Sequence, residues 1–361
     1  MTTSMTTAWL CGLAAGMSML ALADDVPRTA DGRPDFSGTY DVATLTPLQR
    51  PEMFGDNLEL SPEAAAKIAE ERKAYLAQDL EPDDPNRGAP PTGGDGSTGA
   101  AGNVGGYNAF WIDQGDGAFR IDGEFRTSII TEPKNGRFPA MTPTAMKQAA
   151  EQRRFYRDNT GEAWWVAEGG PGPYDDPETR GMGERCLLGF GSTAGPPMLP
   201  VLYNNVKRIV QNEHTVVILT EMNHDARIVR MNAEHAPEDQ RFWLGDSIGW
   251  WEDDTLVIDT TNFRDETAMR SATRDLHVVE RFSYDSDGQL VYGFTVEDPN
   301  VWKEPWSGEY AWPRTEERLY EYACHEGNYA LGGVLRGARL LEKEAMEATK
   351  AEDSQPSSGS E

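Results

Sequence analysis

From residue 201 onward, short segments rich in Val, Ile, Thr, Tyr and Phe recur at close intervals, and this cadence constrains the fold more than any other feature. The segments 206–210, 215–222, 227–231, 248–251, 256–261, 277–284, 290–296 and 318–324 read as strands. Turn chemistry separates several of them, notably Glu252-Asp253-Asp254 and Asp285-Ser286-Asp287-Gly288-Gln289. Successive strands with short polar turns specify an antiparallel meander, and a meander of about eight strands tends to curl and close. The expectation is a mainly β fold, an antiparallel meander closing into a lipocalin-like barrel, with two peripheral helices and long loops. An open sheet or sandwich with the helices on one face is the alternative.

Residues 24–184 precede the barrel region 185–341. Ser61 as N-cap, Pro62 at the first helical position and Glu63 in the first turn predict a helix to about residue 80. Thr142-Pro143 predicts a second, ending near residue 158. Between them, 110–113 and 125–132 read as strands, and 81–106 as a long surface loop dominated by Gly, Pro and small polar residues. The charged, then Ser-rich stretch 342–361 reads as a disordered acidic tail. Residues 1–23 carry no charged side chain, hold an apolar run and end in Ala21-Leu22-Ala23, which reads as a secretory signal; a retained short anchor is the alternative.

Loss of such a leader removes Cys11 and leaves Cys186 and Cys324. In a periplasmic or secreted setting these two read as a disulfide. The chain carries 60 acidic and 33 basic residues, a formal charge of −27, which repels nucleic acid and excludes it as a partner. No second apolar stretch approaches the roughly 20 residues a bilayer-spanning helix needs, so no stable membrane insertion is expected after leader cleavage. Oligomeric state is not legible.

The runs PDFSGTY (34–40), ERCLLGFGSTAGPPMLP (184–200), TVVILTEMNHDARIVRM (215–231), GDSIGWWEDDTLVIDTTNFR (245–264) and YEYACHEGNYAL (320–331) span most of the mature chain. In these runs the chain resembles a family of uncharacterised exported bacterial proteins. The resemblance implies export and a shared fold, and carries no reaction. Asp253 departs from the family by standing where a glycine turn is more usual.

All five histidines, His214, His224, His235, His277 and His325, fall in the strand-rich block. Strand parity puts Glu280 on one face with Val278 and Phe282, Glu321 with Ala323 and His325, and Asp259 with Val257 and Thr261. A buried carboxylate needs a partner, which Arg227, Arg230, Arg264 and Arg281 can supply. Ion pairs that fix register are one reading. A pocket in which His224 or His325 moves a proton, Glu280 or Glu321 orients or protonates, and Arg227 holds developing negative charge is the other.

The polar run 221–227 could lie at a barrel mouth, with Glu221 and Asp225 among ligand-binding candidates alongside Trp251, Tyr322 and Ser192. Ser192 sits in a Gly-rich loop that fits neither a dinucleotide fingerprint nor a nucleophile elbow. His214 and His235 read as exposed loop residues, and Trp302 and Trp306 as a loop over one barrel end. No cofactor is called for; His224 and His325 with nearby acids could hold Zn, Mn or Fe, but no ligand-pair spacing supports a metal. The expected function is small-molecule binding in a polar and aromatic pocket, with acid/base chemistry as a lyase, isomerase or hydrolase. A non-catalytic ligand-binding or structural envelope protein is the alternative.

Overall fold

A computed structural model describes residues 26–79, 86, 88, 112–153, 157, 160–169, 171–269 and 271–353. The leader reading on 1–23, most of 81–106, and 354–361 lie outside these residues. In chain order the strands are β1 (Gly38–Asp41), β2 (Glu59–Leu60), β3 (Arg120–Ile121), β4 (Glu124–Arg126), β5 (Ile130–Glu132), β6 (Val206–Gln211), β7 (Thr215–Thr220), β8 (Ala226–Met231), β9 (Asp246–Glu252), β10 (Thr255–Thr261), β11 (His277–Tyr284), β12 (Leu290–Glu297) and β13 (Trp306–Trp312). The helices are α1 (Pro62–Asp79), α2 (Pro143–Arg153), α3 (Trp164–Glu168) and α4 (Tyr329–Asp353). The starts of α1 and α2 follow the expected caps: Ala64 N–H donates to Ser61 Oγ (3.2 Å) and Ala145 N–H to Thr142 Oγ1 (3.1 Å).

The fold is mainly β. A ten-stranded sheet in the order β1-β6-β7-β8-β9-β10-β11-β12-β13-β5 curls into a half-barrel, and β2-β4-β3 form a small second sheet. The N-terminal stretch supplies both edge strands of the large sheet. Where the chain leaves β13 it meets the outer side of β1: Asp41 N–H donates to Pro313 O (3.1 Å) and Thr315 N–H to Thr39 O (2.9 Å). The concave side is filled rather than hollow. Phe36, Tyr40, Phe282, Tyr292, Trp306, Tyr310 and Trp312 are buried there, with Trp312 5.0 Å from Tyr292 and 5.5 Å from Phe282, ring centre to ring centre. Burial of these rings favours the curled sheet over a flat one.

Five expectations are corrected. The sheet is not a pure meander, because β8 and β9 run parallel. A parallel pair requires the chain to return to its starting end, and the strandless stretch 232–245 provides that connection. Residues 318–324 form no strand; Cys324 and Tyr320 tie that segment to loop partners instead. The sheet position it was expected to fill belongs to β13, so Trp306 is a core strand residue rather than part of a loop. Trp302 does remain in a loop, stacked 6.1 Å from Phe138.

The fourth correction concerns the tail, which is helical through Asp353. Ala338, Leu341 and Ala345 pack with Trp165, and Trp165 Nε1–H donates to Glu342 (2.7 Å), so an apolar stripe is buried that a charge count conceals. Segment 125–132 is also interrupted, β4 and β5 being separated by Thr127-Ser128-Ile129.

The β9–β10 turn carries Asp253 at φ +51°. Aspartate tolerates this left-handed conformation better than most residues, which accounts for the missing glycine.

Candidate functional site

Parity on β11 places Glu280 on the core face, and the structure pairs it with Arg227 of β8. Both side chains are fully buried, at 0 and 2 % exposure. Arg227 Nη1 bonds Glu280 Oε2, and Nη2 bonds Oε1 at 2.8 Å. Tyr292 donates its hydroxyl to Glu280 Oε1 (2.7 Å) and accepts from Met198 N–H (2.9 Å), while Tyr310 donates to Met198 O (2.9 Å). Burial pulls the Arg227 guanidinium down, but Glu280 more than restores it, so the cation is held above its ordinary range. Glu280 and the two Arg227 Nη groups are occupied by their own partners. The fork fixes β8 against β11 and anchors Met198, rather than presenting a free acid or base.

One cross-strand row away, β6 contributes Lys207 to the same inner face. Its register partner on β7 is Thr220, whose N–H bonds Asp225 O (2.8 Å). Lys207 is 0 % exposed and donates to Thr193 O (2.7 Å). Burial brings its ammonium down to about 7, against a partly restoring pull from Asp225. Burial pushes the Asp225 carboxyl up to about 6, against the Gly189 N–H that donates to it (3.2 Å). Thr193 Oγ1, Thr220 Oγ1 and Arg227 Nε are buried without a protein partner. The segment 186–198 covers this polar row, and the Cys186–Cys324 disulfide (Cα–Cα 5.7 Å) fastens that roof to the 318–328 segment.

Beside the roof opens a cleft of about 630 Å3, lined by Leu45, Pro47, Phe190, Leu199, Leu202 and Met222 among others, with Thr44, Thr46, Gln114 and Tyr203 as polar groups. Phe190 also walls a smaller cleft of about 410 Å3 with Tyr322, Cys324 and Leu331. Phe190 and Leu202 are 41 and 51 % exposed, large apolar side chains turned to solvent.

The sequence-predicted residues divide among these places. Glu221, Asp225, Arg227 and Glu280 belong to the interior polar row and its margin; Glu221 is buried and accepts Tyr320 N–H (3.0 Å). Ser192 is buried in the roof with its hydroxyl facing Gly195 O (2.9 Å) and Pro197 O (2.7 Å), two acceptors and no base. Tyr322 lines the smaller cleft. His224 is exposed on a turn at φ +43°. Glu321 and His325 are exposed on the disulfide-tied segment and do not meet Glu280. Trp251 stacks on Phe36 at 5.7 Å, away from both clefts. No group of three or more His, Cys, Asp or Glu side chains among the described residues is arranged to hold a metal ion.

Sequence reasoning missed two features. Lys207 shares parity with Ile209, so the same face argument that found Glu280 could have placed it inside. The other is a polar chain on the convex face. Arg230 Nη2 contacts both Asp246 oxygens at 2.9 Å; His235 bridges Asp246 (2.9 Å) and Asp259 (2.8 Å); His277 Nε2 meets the second Asp259 oxygen at 2.8 Å. His235 is thus a sheet-bound residue, 26 % exposed, and not a free loop side chain. Comparison with protein-family models, curated proteins and solved structures finds no match to the chain.

Proposed function

We propose that this is an exported protein that binds a small, mostly apolar organic molecule in the cleft between the 186–202 roof and the 44–48 segment, without transforming it. The cleft carries the reading: its size suits a small ligand, its walls are apolar, and a few hydroxyl and amide groups can orient the guest. The candidates for acid/base work do not converge on open space. Glu280 is locked to Arg227 and Tyr292, and His224 and His325 face solvent on separate segments.

In this reading the sheet serves as a filled barrel, closed where the 313–315 segment pairs with β1, and the ligand sits at its rim because rings occupy its interior. The disulfide suits an oxidising compartment such as the periplasm, in line with the leader and the exported-family resemblance. Titration with phenylnaphthylamine, an apolar fluorescent probe, tests the cleft. Saturable binding is expected, weakened about tenfold in Phe190→Ala, since an apolar side chain of this size contributes on the order of 1.5 to 3 kcal/mol. Binding that does not saturate, or that ignores both Phe190→Ala and Leu202→Glu, refutes the site.

A further inference from the structure

The two clefts share a wall. Phe190 lines both, and Tyr203 of the larger is hydrogen-bonded through its side chain to Tyr322 of the smaller. Leu202, Phe190 and Val334 all stand exposed, so an apolar track leads from one cleft across Phe190 into the other. The divider is held in place: the Phe190 ring packs on Gly183, where an added Cβ would lie 2.7 Å from its Cδ1, and its N–H donates to Met222 Sδ (3.1 Å). The far wall is held as well, because the disulfide ties Cys324, which lines the smaller cleft, to Cys186 in the segment that carries Phe190.

Polarity is unevenly spread along this track. Thr44, Thr46 and Gln114 line the larger cleft, whereas Leu331 and Val334 of α4 line the smaller. Among the described residues neither cleft is lined by an arginine or a lysine, so an anionic head group would meet no counter-ion there. Glu184 and Glu326 at the smaller cleft add to the repulsion that a net charge of −27 sets up against anions. A peptide fits no better, since each of its residues brings an amide to satisfy and the crossing offers it a ring. We propose that the two clefts form one groove for a long unbranched aliphatic chain with a neutral polar head. The head sits by Thr44 and Gln114, and the chain lies over Phe190 onto Leu331 and Val334. This rests on the reading of the larger cleft as a ligand site, and names the class of its guest.

A groove that continues past Phe190 rewards length, each buried methylene tightening binding about fourfold. Displacement of phenylnaphthylamine by straight-chain alcohols at neutral pH measures this. From octanol to tetradecanol the competing affinity should rise at least about a hundredfold. Val334 is exposed and Leu331 half-buried on α4, so a charge can be placed at either without entering the core. Val334→Glu and Leu331→Glu should leave phenylnaphthylamine and octanol within about twofold, and weaken tetradecanol at least about tenfold. Tetradecanoate, with a carboxylate on the same length of chain, should bind at least about tenfold more weakly than tetradecanol. Saturable phenylnaphthylamine binding that tetradecanol does not displace, or a tetradecanol affinity untouched by both variants, overturns the groove and leaves the larger cleft standing as a site. Tetradecanoate binding as tightly as tetradecanol overturns the neutral head. Phenylnaphthylamine that fails to saturate removes the larger cleft itself, and the groove with it.

Discussion

Replacing Glu280 by Gln would strand a guanidinium in the core. The side-chain shape is kept and Tyr292 still finds an oxygen to donate to, while the amide nitrogen faces Arg227 Nη1–H, so the change removes the charge together with one acceptor. Arg227 is 2 % exposed and its Nη1 and Nη2 both face Glu280; its remaining contact is the Met198 sulfur at 3.7 Å. Breaking one side of a buried pair costs on the order of 3 to 5 kcal/mol because the survivor is left charged and unsolvated. Arg227→Met should cost a similar amount by leaving the carboxylate. The double replacement Arg227→Met with Glu280→Leu removes both charges and leaves mainly the Tyr292 hydroxyl without its acceptor, a loss of about 1 to 3 kcal/mol. Measured against its matched single variants Arg227→Met and Glu280→Leu, the double variant should then be more stable than Arg227→Met and Glu280→Gln alike, with a coupling of about 3 kcal/mol. Urea unfolding at neutral pH measures this as a shift of midpoint at constant slope. A Glu280→Gln cost below about 1 kcal/mol, or additive effects, would refute the account of a sealed ion pair.

The convex relay should shape stability against pH in two limbs. Burial raises the Asp259 carboxyl, but hydrogen bonds from His277 and His235 outweigh it and leave it below the ordinary value; Asp246 is likewise held low, burial being outweighed by the Ala236 N–H, His235 and Arg230. Their contribution is present above the unfolded carboxylate value of about 4 and fades as pH falls through the lower folded values. His277, held high by Asp259, contributes fully below about 6.5 and less as pH rises through its raised value. Unfolding midpoints of wild type minus Asp259→Asn should therefore peak between about pH 4 and 6.5, and a pH-independent difference would rule this out. Reducing the Cys186–Cys324 bridge, whose partners are 138 residues apart, should lower stability by about 2 to 5 kcal/mol through freed chain entropy. An unchanged melting temperature after reduction would count against the disulfide as a staple for the roof.

Particular residues show where sequence was enough. Glu280 is legible on the core side because side chains alternate in a strand, and Arg227 is an available cation in the same sequence block. The caps at Ser61 and Thr142 located two helix starts for the same reason, that the signal and the structure are both local. The disulfide followed from two cysteines remaining after a leader. By contrast, β13 is hard to see in the sequence because Trp306, Ser307, Gly308 and Glu309 lack β-branched residues, and its pairing with β12 rests on buried rings rather than propensity. The relay failed to appear because His235, Asp246, Asp259 and His277 sit on four separate segments, and His235 comes from a connection with no periodicity to fix its direction.

What the sequence by itself determined is local and periodic: the β class, most strand positions, the helix caps, the acidic surface and the polar positions that must find partners if buried. Tertiary structure alone decided which partners those are. Strand order, the parallel β8–β9 joint and the register between strands depend on contacts between residues far apart in the chain, and a one-residue change of register moves every side chain to the other face. The same long-range packing filled the concave side with rings, which moved the candidate site from the interior to the cleft beneath Phe190.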